Sequence, residues 1–172
     1  MFEKIKIIFM DVDGVLTPGQ VYTGKSESPR IMHVRDRLAV KALKKRSSED
    51  IKVYWITARD SQYLADTGRE LDVDGVYAGI GNKKAVLKKL LDENGLGPGD
   101  AAYIGDDLVD LACMNYVSVS CTPSDAPAEL KQAADYVSSR PGGRGAVRDI
   151  IEKILKERNK WREVVESYEK DL

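Results

Sequence analysis

The sequence predicts an α/β fold with three layers, in which a Rossmann-like, mostly parallel sheet carries helices on both faces. Short apolar segments rich in β-branched and aromatic residues alternate along the chain with longer segments of helical periodicity. Acidic residues follow directly on two of the apolar segments, as expected where the carboxyl ends of parallel strands form a site. The 172 residues suit one domain, which we expect to span residues 1–172.

The same patterns place each element. Strands are expected at the short apolar segments, over residues 4–10, 51–56, 73–77, 101–104, 117–120 and 135–137. Helices are expected at the amphipathic segments, over residues 36–46, 60–71, 82–93, 108–114 and from 146 onward. Residues 18–34 are predicted to form a small β-hairpin insert that turns between Thr23 and Ser28. The C-terminal helical tail, 146–172, has a charged end that we expect to extend into solvent or onto a partner.

The composition argues against nucleic-acid and membrane partners. Formal net charge is −1 with 32% charged residues, so the charge balance indicates neither. The chain has no apolar stretch of membrane-spanning length and no signal-peptide core at its N-terminus. Cys113 and Cys121 match no common zinc or redox spacing, which favours a reducing compartment. We therefore expect a soluble cytoplasmic protein.

Residues 11–17, DVDGVLT, are the most informative segment of the chain. They follow the first apolar strand, and alternation along an extended chain points the Asp11 and Asp13 side chains the same way. Two carboxylates that close repel each other unless a cation neutralises them, and Mg²⁺ prefers oxygen ligands. The alternative is a capped strand end in which the aspartates only form a turn.

Two further segments offer groups that bind phosphate. The second strand ends at Thr57, whose hydroxyl and neighbouring amides can donate to a phosphate oxygen. Alone, that segment would be better explained as a helix start. Lys83 and Lys84 lie at the start of the helix predicted over residues 82–93. An ammonium group there can neutralise a phosphate and a carboxylate together. The residues themselves do not decide between the two lysines.

The fourth predicted strand is followed by a second acidic segment, GDDLVD, at residues 105–110. It brings Asp106, Asp107 and Asp110 to one loop, and Gly105 allows a sharp turn out of the sheet. An acidic helix start, favoured by the helix dipole, explains one or two of these aspartates. It does not explain four polar clusters at four successive strand ends.

These four segments resemble the motifs of the haloacid dehalogenase superfamily of phosphohydrolases. The resemblance implies that Asp11 attacks phosphorus and that Asp13 is the general acid and base. It also implies that Thr57 and Lys83 bind the phosphate. Lys83 is chosen over Lys84 because Asn82 and Lys83 match an Asn-Lys pair of the family. Mg²⁺ would then be held by Asp11, Asp13 and Asp106, with Asp107 and Asp110 in supporting positions. The insert of residues 18–34 is too short for the cap domain that most members carry.

A closer resemblance is to the 3-deoxy-D-manno-octulosonate 8-phosphate phosphatase family. It rests on residues 11–16, 34–36, 102–110 and 142–148, which are DVDGVL, VRD, AYIGDDLVD and GGRGAVR. The family implies a capless homotetramer assembled through its hairpins and a small phosphorylated sugar acid as substrate. It also implies a set of substrate-binding residues, some of them reaching a neighbouring subunit: His33, Val34, Arg35, Asp36, Arg59, Arg144 and Arg148. Arg37, which directly follows the VRD segment, is expected at the mouth of the same pocket.

Arg37 departs from the family, which usually has Gly at this position. A cation at the mouth of the substrate pocket is expected to favour a more anionic or smaller substrate. The alternative is that Arg37 points away along its helix and is an ordinary surface residue.

Two other functions stay open from the sequence. The first is the same chemistry on another phosphorylated metabolite, such as a nonulosonate 9-phosphate. The second is a non-catalytic domain of this fold whose role is oligomerisation. The presence of every residue that the phosphatase motifs require favours an enzyme over that second function.

Overall fold

The computed structural model describes residues 1–21 and 31–170, so the turn predicted between Thr23 and Ser28 lies outside the described residues. The described strands are β1 (Ile7–Met10), β2 (Lys52–Ile56), β3 (Gly75–Tyr77), β4 (Ala101–Ile104), β5 (Val119–Thr122) and β6 (Tyr136–Val137). The described helices are α1 (Val34–Lys45), α2 (Gln62–Leu71), α3 (Lys83–Glu93), α4 (Leu111–Met114), α5 (Ala128–Ala133), α6 (Ala146–Glu157) and α7 (Trp161–Glu169). Short 3-10 turns cover Phe2–Lys4, Pro98–Asp100 and Leu108–Asp110.

The strands form one parallel sheet in the order β3-β2-β1-β4-β5-β6. The predicted α/β class is confirmed, and strand β4 lies where the sequence placed it. Strand β5 begins two residues later than predicted, because Ser118 bonds to the loop before β4 instead of joining the sheet. Helix α5 was not predicted, since six residues are too few to show a helical period.

The sheet separates two apolar cores, and β2 shows how. Val53 and Trp55 face the core beneath α1, α2, α6 and α7, whereas Tyr54 and Ile56 face the core beneath α3, α4 and α5. Both faces of the strand are buried, which is why its sequence is apolar throughout. None of the helices in residues 1–21 and 31–170 is long and apolar enough to cross a membrane.

The described part of the C-terminal tail folds back onto the chain, which corrects the expectation that its charged end extends into solvent, whereas the alternative contact with a partner stays a prediction. Helix α6 is followed by Arg158, whose guanidinium donates to the carbonyls of Phe2 and Ile5 and pairs with Glu49. Helix α7 then buries Val164. The sequence analysis missed this contact because most residues around Val164 are charged, which favours an exposed segment.

The glycine-rich loop before α6 packs directly on the loop after β1. A Cβ atom added at Gly142 would lie 1.7 Å from the carbonyl oxygen of Gly14, and one at Gly143 would lie 2.2 Å from the carbonyl carbon of Thr17. The amide of Gly143 also donates to the carbonyl of Val15 over 2.8 Å. Two glycines therefore allow the C-terminal segment to reach the first strand-end loop.

Asp36 fixes this glycine-rich loop from the other side. Its carboxylate is fully buried and accepts hydrogen bonds from the amides of Gly145 over 2.9 Å and Arg148 over 2.8 Å. Burial raises the pKa of this carboxyl, against the opposing effect of those two amides. The expectation that Asp36 contacts substrate is corrected, because both its oxygens bind the start of α6.

Asp36→Ala is expected to lower the free energy of unfolding by about 1–3 kcal/mol, since it leaves two amide donors without their acceptor. Urea unfolding monitored by circular dichroism measures this change. Asp50→Ala, on an exposed aspartate, is the control and should stay within about 0.5 kcal/mol of the unmodified protein. Equal midpoints for the two variants would contradict the assignment.

Candidate active site

The site lies at the carboxyl edge of the sheet, where β1 and β4 run side by side. Met10 is paired with Ile104, so Asp11 and Gly105 leave the sheet at the same level. The amide of Asp11 donates to the carbonyl of Ile104 over 2.9 Å, which continues the pairing by one residue. The two acidic loops are thereby held next to each other.

Gly14 brings the two loops into contact. Its φ of +91° is open to glycine but strained for other residues, and an added Cβ would lie 1.8 Å from Oδ2 of Asp106. Gly105 has a similar role, because a Cβ there would lie 2.4 Å from Cβ of Asp110. The glycines of the two motifs therefore make room for the carboxylates.

Lys83 occupies the first turn of α3 and points into the site. Asn82 caps this helix, its side-chain oxygen accepting from the amide of Ala85 over 3.0 Å. The Lys83 ammonium lies 2.7 Å from Oδ2 of Asp11 and 2.8 Å from Oδ1 of Asp110, and the residue is only 5% exposed. Burial opposes its charge, but the two carboxylates outweigh burial and raise the pKa of Lys83.

Lys84 points away from the site. Its ammonium lies 4.9 Å from the centre of the Tyr116 ring. Of the two adjacent lysines, Lys83 is therefore the one that contacts Asp11 in the structure.

Three carboxylates form a cluster suited to a hard divalent cation. Oxygens of Asp11, Asp106 and Asp110 all lie within 4.8 Å of one another. Oδ1 of Asp106 is buried and has no hydrogen-bond partner among the described residues, so it is a ligand without a protein donor. Burial and the charges of Asp11, Asp110 and Asp107 raise the pKa of Asp106 to about 7. A cation would relieve that repulsion.

Asp11 is a buried member of this cluster. Its Oδ1 accepts from the amide of Val12 over 2.7 Å, while Oδ2 faces Lys83. Burial and the charge of Asp110 raise the pKa of Asp11 to about 6, against the effect of Lys83. Neutralisation by a cation would favour the ionised form that a nucleophile needs.

Asp110 supports the site by binding protein donors with both oxygens. Oδ1 accepts from Lys83 and from the Tyr103 hydroxyl, and Oδ2 accepts from the Asp106 amide over 3.1 Å. Its neighbour Asp107 caps the following turn by accepting from the Leu108 amide over 2.7 Å. Both residues therefore bind donors of the protein, and their supporting role at the metal site stays a prediction.

Asp13 and two residues of the second strand-end loop form the other side of the site. Nε of Arg59 lies 3.9 Å from Oδ2 of Asp13. Thr57 is buried, and its hydroxyl accepts from the Arg59 amide over 3.3 Å. The Thr17 hydroxyl lies 3.5 Å from Oδ1 of Asp13, a contact that the sequence analysis missed although Thr17 ends the DVDGVLT segment.

The residues expected to bind substrate divide into two groups. His33, Val34 and Arg35 lie at the start of α1, where Nδ1 of His33 caps the helix by accepting from the Arg35 amide over 3.3 Å. Val34 and Arg35 are exposed there. Arg144 is exposed in the glycine-rich loop. These four residues and Arg59 remain available for a ligand.

Arg37 and Arg148 each pair with an acidic side chain in the structure, and their expected place at the substrate pocket stays a prediction. The Arg37 guanidinium lies 2.6 Å from Glu70 on α2 and holds the pKa of that carboxyl below its usual value. Arg148 pairs with Glu152 over 3.0 Å and stacks 4.6 Å above the Trp161 ring. For Arg37 the structure favours the surface alternative.

Known proteins are similar to this chain in sequence. A family model of haloacid dehalogenase-like hydrolases matches residues 76–151. The 3-deoxy-D-manno-octulosonate 8-phosphate phosphatase KdsC of Haemophilus influenzae is 37% identical over 159 residues, which are 92% of this chain and 87% of that protein. The protein of the same name from Escherichia coli is 36% identical over 154 residues, 89% of this chain and 80% of its own length. The chain belongs to this family of haloacid dehalogenase-like phosphatases.

Solved structures of the family have the same fold. The phosphatase from Moraxella catarrhalis, in complex with magnesium ion, phosphate ion and KDO molecule, has a TM-score of 0.90 at 30% identity and covers 97% of this chain and 95% of that chain. The cobalt-bound Haemophilus influenzae phosphatase has a TM-score of 0.86 at 37% identity, covering 93% and 92%. The predicted family, fold class and enzyme class, a phosphoric monoester hydrolase, are confirmed.

Proposed function

We propose that this phosphatase hydrolyses 3-deoxy-D-manno-octulosonate 8-phosphate, or a closely similar phosphorylated sugar acid, with Mg²⁺ as its cofactor. The observation that carries the proposal is the Lys83 ammonium held between Asp11 and Asp110 at the edge of the acidic cluster. The match to phosphatases of that name over most of the chain supports the substrate.

The residues present can carry out the two steps of a phosphatase. An oxygen of Asp11 attacks phosphorus, the bond from phosphorus to the sugar oxygen breaks, and the protonated Asp13 gives its proton to the departing alkoxide. The deprotonated Asp13 then takes a proton from water, whose oxygen attacks phosphorus and releases Asp11 with inorganic phosphate. Lys83 lies where it can neutralise charge on both the nucleophile and the phosphoryl group.

Mg²⁺ would be held by Asp11 and Asp106, together with the main-chain carbonyl of Asp13. The unpartnered Oδ1 of Asp106 is the protein feature that fits it best. When bound, the ion would offset the repulsion between carboxylates and phosphate and orient the reacting group. Asp110, whose oxygens bind protein donors, would support the site without direct coordination.

The metal prediction is tested on binding as well as on turnover. Asp106→Asn is expected to weaken Mg²⁺ binding at least about tenfold in calorimetric titration, since it replaces an ionised ligand by a neutral amide. Exhaustive chelation should abolish turnover, and added Mg²⁺ should restore it. The exposed Asp92→Asn is the matched control. Full turnover after chelation would refute the requirement.

A substrate panel tests the proposed specificity. The octulosonate 8-phosphate should give the highest kcat/KM, ahead of a nonulosonate 9-phosphate and of sugar phosphates without a carboxylate. Arg59, 41% exposed by its side chain and close to Asp13, offers a forked donor for the second anion. A higher kcat/KM for the nonulosonate would establish the alternative substrate, and no turnover of any compound would favour a non-catalytic oligomerisation domain.

We also propose that the active form is a single-domain, capless protein assembled as a homotetramer through residues 18–34. The exposed apolar side chains of Val21 and Ile31, which flank the undescribed part of that segment, support a contact there. Light scattering that shows a fully active monomer would contradict it. A cytoplasmic location belongs to the same proposal, and the unbridged Cys113 and Cys121 suit a reducing compartment.

A further inference from the structure

Tyr103 is a buried polar group that the proposed reaction does not use. It lies in the middle of β4 with no exposed surface, among apolar side chains of the core beneath α3, α4 and α5. A buried hydroxyl in such a place is costly unless it is hydrogen-bonded. Its one hydroxyl proton is directed to Oδ1 of Asp110 over 2.7 Å.

That contact is the first link of a chain of hydrogen bonds that ends at the nucleophile. The same Oδ1 of Asp110 accepts from Lys83 over 2.8 Å, and Lys83 in turn lies 2.7 Å from Oδ2 of Asp11. The other oxygen of Asp110 accepts from the Asp106 amide. Asp110 therefore has one donor from the strand, one from α3 and two from its own loop, the amides of Asp106 and Asp107.

We infer that Tyr103 is a positioning residue for the phosphoryl-transfer step. Its hydroxyl holds Asp110 at the distance at which the carboxylate shares Lys83 with Asp11. Without that donor, Lys83 is the remaining donor to Oδ1 of Asp110. The negative charge on this oxygen then attracts the ammonium more strongly and draws it toward Asp110. The ammonium then moves away from the place where charge develops during transfer, which lowers kcat more than it changes substrate binding.

The surroundings of Tyr103 keep it in the donor form. Burial and the charge of Asp110 raise the pKa of its hydroxyl well above the ordinary value, so the proton stays on the tyrosine. Glycine at position 105 lets Asp110 approach closely enough, since a Cβ there would lie 2.4 Å from the Cβ of Asp110. Strand, turn and loop therefore fix one geometry for the carboxylate.

The inference rests on the proposed phosphatase function and is tested with Tyr103→Phe, which removes the hydroxyl and keeps the ring. Tyr54→Phe is the matched control, because Tyr54 is a second buried tyrosine of the same core, and its hydroxyl contacts Asn94 instead of the acidic cluster. With the octulosonate 8-phosphate and saturating Mg²⁺, we expect kcat to fall about tenfold in Tyr103→Phe and KM to stay within twofold. Tyr54→Phe should keep both constants within twofold.

A second readout does not depend on activity. In the metal-free protein labelled with ¹⁵N-lysine, the Lys83 ammonium signal should shift in Tyr103→Phe and remain in place in Tyr54→Phe. A 3-fluorotyrosine at position 103 keeps the hydroxyl and should restore kcat to within twofold, which separates positioning from general damage to the core. An unchanged Lys83 signal together with unchanged kcat in Tyr103→Phe overturns the inference. A shifted signal in a protein that hydrolyses no phosphomonoester overturns the proposed function and leaves the positioning of Lys83 standing.

Discussion

Asp11→Asn is expected to lower kcat by about 10⁴-fold or more while the protein keeps its fold. The amide fills the volume of the carboxylate but cannot attack phosphorus to form the covalent intermediate. The fold should survive because the remaining side-chain oxygen can still accept from the Val12 amide, the contact that Asp11 makes over 2.7 Å. Single-turnover assays with the octulosonate 8-phosphate and a thermal melt measure both parts of this expectation.

Two controls separate loss of the nucleophile from loss of the site. Beryllium fluoride should form a stable adduct with the unmodified protein and none with Asp11→Asn, because the adduct needs a carboxylate oxygen. Asp92→Asn, an exposed aspartate on α3, should keep full turnover and form the adduct. Substantial turnover by Asp11→Asn in a preparation free of the unmodified protein would show that another group attacks phosphorus.

The parts of the site that the sequence could predict are those fixed by local geometry. Asp11 and Asp106 each follow a buried strand, and the parallel register of β1 and β4 brings those two strand ends together. Alternation of apolar segments was sufficient to place the sheet, because parallel strands buried on both faces are apolar throughout. These predictions depended only on residues that are close together in the sequence, so a single sequence was sufficient for them.

The parts that it could not predict depend on side-chain partners distant in the chain. Asp36 was assigned to substrate because of its VRD motif, but it binds amides more than 100 positions away. Arg37 was placed at the substrate pocket because it directly follows that motif, and it pairs with Glu70, 33 positions away. Tyr103 was passed over because an aromatic residue in an apolar strand is ordinarily part of the core.

Lys83→Met is expected to have the second-largest effect, a loss of about 10²–10³-fold in kcat. The methionine keeps the apolar stem within the first turn of α3 and removes the ammonium. Asp11 and Asp110 then face each other in a buried place without a shared cation, so one of them is expected to take up a proton. A protonated Asp11 would be a poor nucleophile, which adds to the loss of charge stabilisation during phosphoryl transfer.

Lys84→Met is the matched control, because it makes the same substitution at the next position of the same helix turn. Lys84 lies over the Tyr116 ring and away from the carboxylates, so its removal should leave kcat and KM within about twofold. The comparison also separates catalysis from stability. The Lys83 variant should melt at a lower temperature than the Lys84 variant, since it leaves buried carboxylates without their partner. Equal kcat values for the two variants would show that the ammonium between Asp11 and Asp110 has no part in the reaction, and the phosphate would then have to be neutralised by Arg59 and the metal alone.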